Sequence, residues 1–338
     1  MQAILYDSLK DKKILCNLCH HRCIIKNGKR GLCMVRENRE GRLVSLIYGR
    51  LIAQHVDPVE KKPLFHFRPG SLSFSIASVG CNFRCLFCQN ADIAQMPFDR
   101  AGMTAGEACR PEDVVGRAQK KGCKSISYTY TEPTVNFEFI LETAKLAHAA
   151  GIGNILVSNG YMTAQALESI GRYIDAANID LKSFNPEFYK KYCGATLEPV
   201  RETLKLMKSA GIFVEVTTLI IPGLNDDPDE ISRLAFFISE SLGPETPWHV
   251  SGFHPAYKLT DRPATPLETL VRARKTGIEA GLRYVYTGNV PGENGENTFC
   301  YNCGKMLIKR WGFNMQSNLV EKGMCPVCGV EVDGIWAE

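Results

Sequence analysis

The residues best suited to chemistry are cysteines. The chain has 14 of them. Eleven fall into three tight groups: Cys16, Cys19, Cys23 and Cys33; Cys81, Cys85 and Cys88; and Cys300, Cys303, Cys325 and Cys328. In an oxidising compartment such groups would make disulfides. In a reducing one they ligate metal. The central group lies in Gly80-Cys81-Asn82-Phe83-Arg84-Cys85-Leu86-Phe87-Cys88-Gln89-Asn90. A structural zinc site wants four ligands, and so does a [4Fe-4S] cluster. Three close thiolates therefore suggest a cluster with one iron open, in the way a catalytic metal keeps a position for what it binds. The competing reading is a zinc knuckle completed by a distant cysteine or histidine.

The flanking groups read differently. Two CxxC pairs, Cys300/Cys303 and Cys325/Cys328, each followed by a glycine, have the spacing of a zinc ribbon with a closed tetrahedral site. An auxiliary iron–sulfur cluster is the alternative. So short a ribbon cannot build a core of its own, and the metal would supply its folding energy. Cys16-x2-Cys19-x3-Cys23-x9-Cys33 is less stereotyped, and His20 and His21 lie inside it. It could hold zinc or an auxiliary cluster, and the spacing leans toward zinc. Cys109, Cys123 and Cys193 stand alone and are expected to be small buried hydrophobes.

Elements able to position these groups can be read from the pattern. Residues 1–70 show little helical period and form a Cys-rich metal-binding segment. From residue 71, short β-branched or aromatic runs alternate with helical stretches. The strands are expected at 71–78, 125–130, 154–158, 177–181, 213–220, 248–253 and 283–287. The helices are expected at 111–121, 134–149, 163–174, 197–209, 227–242 and 266–280. Pro111 suits a first helical turn, and Gly151 and Gly281 suit helix ends. Repeated strand–helix units imply a parallel sheet with right-handed crossovers. Seven strands fall short of a complete (β/α)8 barrel, so an α/β fold built on a partial, (β/α)6-type barrel is expected over 71–290. A zinc-ribbon-like segment follows over 291–338.

In such barrels the active site lies at the C-terminal ends of the strands. The polar residues collect there. Cys81 follows the first strand and Glu132 the second. Asn159 closes the third, in a Ser158-Asn159-Gly160 turn. Asp180 and Lys182 share one face at the end of the fourth. His254 follows the sixth. Glu132 could accept an amino group through a charge-assisted bond. Asp180 and Lys182 could hold a cation or the polar end of a cofactor, or form a plain salt bridge. His254 could touch cofactor or substrate, or simply be hydrogen-bonded.

Composition excludes other classes. Hydrophobic residues make up 45% and charged residues 22%, ordinary for a globular protein. The net charge of +4 is too small to argue for nucleic acid, and no basic, aromatic-interleaved tract is present. No apolar run approaches the roughly 20 residues that span a bilayer. The N-terminus, MQAILYDSLKDKKIL, is charged where a signal peptide is apolar. A cytoplasmic protein without membrane contact is expected.

The C-x3-C-x-aromatic-C spacing of Cys81, Cys85, Phe87 and Cys88 resembles the radical S-adenosylmethionine (SAM) superfamily. That resemblance implies a [4Fe-4S] cluster on the three cysteines, SAM on the open iron through its amino and carboxylate groups, and Phe87 near the adenine. Over residues 71–290 the chain is similar to the activating enzymes of glycyl-radical enzymes, such as pyruvate formate-lyase activating enzyme. Asp180 and Lys182 match that family's SAM-contacting pair. Three positions depart from it. Thr131-Glu132-Pro133 stands for Gly-Gly-Glu, Val157 for an acid, and Thr217 for a SAM-contacting arginine. Over nearly its whole length, with Asp57-Pro58-Val59-Glu60-Lys61-Lys62-Pro63-Leu64-Phe65-His66-Phe67 and both flanking cysteine groups, the chain resembles the "AmmeMemoRadiSam system" radical SAM proteins. That family is named for genomic association with Memo-like and AMMECR-like proteins.

The resemblance implies reductive cleavage of SAM to a 5′-deoxyadenosyl radical, which removes hydrogen from a protein or small-molecule substrate. It also implies an electron donor such as a flavodoxin or ferredoxin. Glu132, Asn159, Asp180, Lys182 and His254 would line the SAM site with Phe87. A glycyl-radical activase is one alternative. A non-catalytic iron–sulfur or zinc protein is another, although such a carrier has no use for cofactor-contacting residues at several strand ends.

Overall fold

A computed structural model describes residues 1–290 and 294–336. The expected boundary after residue 290 abuts residues 291–293, outside the described residues. The seven expected strands all form. They are β2 (Leu72–Ala77), β3 (Ser125–Tyr128), β4 (Gly153–Ser158), β5 (Ala176–Asp180), β6 (Phe213–Ile220), β7 (Trp248–Gly252) and β8 (Val285–Gly288). They lie side by side in chain order and all run parallel. Most of their residues are buried on both faces, as a parallel sheet covered by helices requires.

The main sheet has one strand outside the expected set. β1 (Ala53–Pro58) pairs antiparallel with β2, from Ala53 opposite Ala77 to Pro58 opposite Leu72. Its Gln54, His55 and Asp57 give it no apolar run. Among the described residues β1 and β8 are the two edges of the sheet, so the barrel is partial and open.

Helices fill the crossovers: Pro111–Lys120, Phe137–Ala149, Ala164–Ile170, Glu198–Ser209, Pro228–Phe237 and Leu267–Glu279. Their starts follow local chemistry. Pro111 and Pro228 occupy first-turn positions, where a missing N–H costs nothing. Thr163 and Asp227 accept from the backbone N–H groups of Ala166 and Glu230.

The Cys-rich N-terminal segment packs over the C-terminal side of the sheet. Its anchor is an ion pair, Arg36 to Glu138 at 2.5 Å, with both side chains buried. The C-terminal segment packs against Phe65, Tyr284 and Tyr286 and reaches the cavity at the strand ends through Phe313. Thr298–Phe299, Met306–Trp311 and Asn314–Asn318 form an antiparallel sheet. Phe65, Tyr284, Tyr286, Leu307, Ile308 and Val332 make a shared apolar cluster there. Arg310 is buried between the Phe65 ring and the Glu60 carboxylate. No helix among the described residues is long and apolar enough to cross a membrane.

Candidate active site

The C-terminal ends of β2–β7 surround a cavity of about 500 Å³. Cys81, Cys85, Cys88 and Phe87 line it together with Glu132, Asn159, Asp180 and Lys182. Sequence positions 100 residues apart thus meet at one opening. His254 does not join them. It is exposed and lies outside the cavity lining.

The cysteine loop is rigidly held. Gly80 has φ +104°, and a Cβ there would meet Val35 Cγ1 at 2.7 Å. Glycine is thus required both for the turn and for the close approach of the N-terminal segment. The backbone N–H groups of Arg84 and Leu86 donate to the carbonyls of Cys193 and Tyr192 at 2.8 and 2.9 Å. Arg84 spreads its guanidinium over the carbonyls of Cys81, Phe83 and Leu32. The Phe83 N–H points at Cys81 Sγ, 3.3 Å away. Such donors favour a thiolate over a thiol.

Without metal the thiols hold their protons. Burial, followed by the charges of Glu132 and Cys85, pushes Cys81 well above the ordinary range. A hydrogen bond with Cys193, followed by burial, does the same to Cys85. Burial raises Cys88 to about 11. A metal that replaces those protons reverses the penalty. Cys193, expected to be a small buried hydrophobe, is buried and sits against the Cys85 thiol. Its separation of more than 100 residues from Cys85 left no spacing signal.

The polar rim has distinct parts. Lys182 Nζ lies 2.8 Å from Asp180 Oδ2 and 5.9 Å from the Phe87 ring centre. Burial works against its charge, but Asp180, Cys85 and Cys193 raise it well above the usual lysine value. Lys182 is a fixed cation at the cavity wall. Asn159 Nδ2 lies 2.8 Å from Asn82 Oδ1 and 3.8 Å from Cys81 Sγ. Glu132 is more occupied than its motif suggests. Its Oε1 accepts from the Thr134 backbone and hydroxyl and from the Ser158 hydroxyl. Its Oε2 accepts from the Asn159 N–H at 2.9 Å. The carboxylate ties two strand ends together while bordering the cavity. Val157 and Thr217, the departures noted above, both face the cavity.

The two flanking cysteine groups differ in geometry. At the C-terminus, Cys300 Sγ lies 3.6 Å from Cys328 Sγ, and Cys303 Sγ 3.7 Å from Cys325 Sγ. Four ligands about 2.3 Å from zinc stand about 3.8 Å apart. These four sulfurs are the one set among the described residues with three or more metal-binding side chains mutually within 4.8 Å. Neither Cys81/Cys85/Cys88 nor the N-terminal four meet that limit.

Comparison with known proteins adds to this. The profile of the Radical SAM superfamily matches residues 75–235. An uncharacterized protein of Methanocaldococcus jannaschii is 50% identical over 334 residues, 98% of each chain. The pyruvate formate-lyase-activating enzyme of Clostridium pasteurianum is 23% identical over 215 residues, covering 60% of this chain and 87% of that protein. Among solved structures, Streptococcus suis SuiB bound to S-adenosylmethionine superposes with a TM-score of 0.52 at 16% identity, over 68% of this chain and 53% of that one. That similarity concerns the fold.

Proposed function

The chain belongs to the radical SAM superfamily, and from this premise we propose that the cavity is a SAM site in which Cys81, Cys85 and Cys88 hold a [4Fe-4S] cluster. One observation carries the reading. Three thiols that are too far apart for a zinc tetrahedron share a cavity wall with a fixed cation, a carboxylate and an aromatic ring. When bound, a cluster held by these cysteines would supply the single electron for reductive cleavage of SAM to a 5′-deoxyadenosyl radical.

The chain's own residues bind, orient and exclude. Lys182 meets the carboxylate end of SAM. Asp180 and the free side of Glu132 receive its amino group. Phe87 offers a flat apolar face for the adenine. Asn159 fixes the Cys81 side chain. No acid–base pair is needed, because hydrogen leaves the substrate as an atom. The walls serve to keep water and stray hydrogen donors away. Val157 and Thr217 place an apolar group and a hydroxyl where activating enzymes use an acid and an arginine. The substrate is a protein or small molecule that reaches the cavity, and a flavodoxin- or ferredoxin-type protein supplies the electron. At the C-terminus, Cys300, Cys303, Cys325 and Cys328 hold zinc, whose tetrahedral edge their sulfurs match.

The test is anaerobic. Reconstituted protein is reduced with dithionite, mixed with SAM and assayed for 5′-deoxyadenosine. Product from the wild type and none from Cys85→Ala is expected. An intact cluster that yields no product, or a Cys85→Ala protein equal to the wild type, refutes the reading.

A further inference from the structure

The N-terminal cysteines were weighed above as zinc ligands or cluster ligands on spacing alone. Their geometry favours one of the two. Cys16, Cys19, Cys23 and Cys33 line one apolar cavity with Leu18, Ile25 and Val135. No three of their sulfurs lie mutually within 4.8 Å. A zinc ion draws its four sulfurs to about 3.8 Å from one another, as at the C-terminus. The sulfurs around a [4Fe-4S] cube sit on four separate corner irons and stand wider apart. The N-terminal four share this wider spread with Cys81, Cys85 and Cys88.

Three further observations agree. First, the ligand loop is already formed: the Cys16 N–H donates to the Cys23 carbonyl at 2.9 Å and the Arg22 N–H to the Cys19 carbonyl at 3.0 Å. Second, Arg36 is 1% exposed and lines the cavity, and its Nε has no partner in the protein. A buried donor without an acceptor is costly, and a cluster sulfide would complete it. Third, His20 lies outside the cavity lining. His21 Nε2 is taken by the Asn82 carbonyl at 2.7 Å. Four thiols line the cavity, a closed set with no open iron and no need of His21 Nδ1.

We propose that Cys16, Cys19, Cys23 and Cys33 hold a second [4Fe-4S] cluster, closed by four thiolates and seated behind the SAM cluster as its electron-transfer neighbour. One layer of residues separates the two sites. His21 lines the N-terminal cavity and bonds to Asn82, whose neighbour in the chain is Cys81. A Cβ on Gly80 would come within 3.6 Å of the Cys33 carbonyl. An external one-electron protein donor reduces the closed cluster, and the same electron passes on to the open one, so no proton or bond need move. The relay role rests on the SAM reading above; the identity of the metal does not.

The test uses the full chain with Cys81, Cys85 and Cys88 all changed to alanine, reconstituted anaerobically. About four irons per chain are expected to remain, with an EPR signal on reduction that SAM does not alter. Zinc in their place, or no iron, overturns the proposal. If that variant does not fold, the wild type decides. About eight irons per chain support the inference, and about four overturn it. Should the SAM reading itself fail, the iron of the triple variant would persist while SAM perturbed no wild-type iron. Proximity has its own readout. The fully reduced wild type is expected to show spin coupling absent from the triple variant and from Cys16→Ala/Cys19→Ala. A wild-type spectrum equal to the sum of the variants' spectra overturns the placement.

Discussion

The two ends of the sheet both bury charge, and they do so to different ends. At the N-terminal end, Glu215 is fully buried. It accepts from the backbone N–H groups of Phe65 and His66, both at 2.8 Å, and from His249 at 2.6 Å. His66 bridges the Asp333 carbonyl and the Tyr286 hydroxyl, each at 2.6 Å. His249 and Tyr286 stack with ring centres 5.2 Å apart. Five segments far apart in sequence meet there, at Phe65–His66, Glu215, His249, Tyr286 and Asp333. At the C-terminal end, thiols, a carboxylate and an ammonium surround 500 Å³ that the protein leaves open. Buried charge alone therefore does not mark a site. Charge with nothing of the protein's own to fill the space before it does.

The largest effect should fall on the N-terminal end. Glu215→Ala removes one acceptor and strands two backbone donors and an imidazole. Breaking a buried pair from one side costs about 3–5 kcal/mol. A loss of that size in the urea unfolding free energy is expected, with SAM affinity unchanged in the folded fraction. A stable Glu215→Ala protein that fails to bind SAM would erase the distinction between the two ends.

Acid should act at the same end. Burial holds His66 at about 4, below its ordinary 6.5. The folded chain then refuses a proton that the unfolded chain takes. This contribution is intact above pH 6.5 and is lost as the pH falls toward 4, by about 3 kcal/mol at the limit. Burial opposes the charge of Glu215, but His249 and His66 outweigh it and hold the carboxyl below 4.5. Below that pH, Glu215 therefore adds to the loss. Urea unfolding at pH 7.5 and pH 5 should show the decline, and His66→Gln should flatten it. No histidine among the described residues lines the open cavity, so an acid loss of SAM affinity should follow the Glu132 carboxyl, which burial raises above its ordinary value, and should survive His66→Gln.

The same contrast explains what could be read in advance. The seven parallel strands and the helices between them were legible because strands buried on both faces carry dense apolar runs. The cysteine groups were legible because ligands for one metal often lie close in sequence. β1 was not, since an antiparallel edge strand reading Gln-His-Val-Asp has no such run. Glu215, His66, His249 and Tyr286 were also invisible. They sit singly on separate segments, and only the folded chain makes them a network. Cys193 is the same case on the open side. His254 was drawn into the site by its place after a strand, but its side chain is exposed instead.

The smallest stability effect, and the finest test of the comparison, belongs to Asp180 and Lys182. Asp180 is 39% exposed at its side chain, so water can replace much of what Lys182 gives it. Asp180→Asn should cost under about 1 kcal/mol of stability, the range of exposed pairs. Lys182→Met should cost little more, because the aliphatic stem keeps its packing against Phe87 while the charge is removed. Yet each should weaken SAM about tenfold or more, roughly 1.4 kcal/mol of binding. Calorimetric titration of SAM beside thermal melts would measure both quantities on one preparation. If the melts fall sharply and binding holds, the pair is a salt bridge that staples β5 to its loop, and the open end is built like the N-terminal one. If binding falls and the melts hold, the two side chains are kept ready for a ligand, at small cost to the fold.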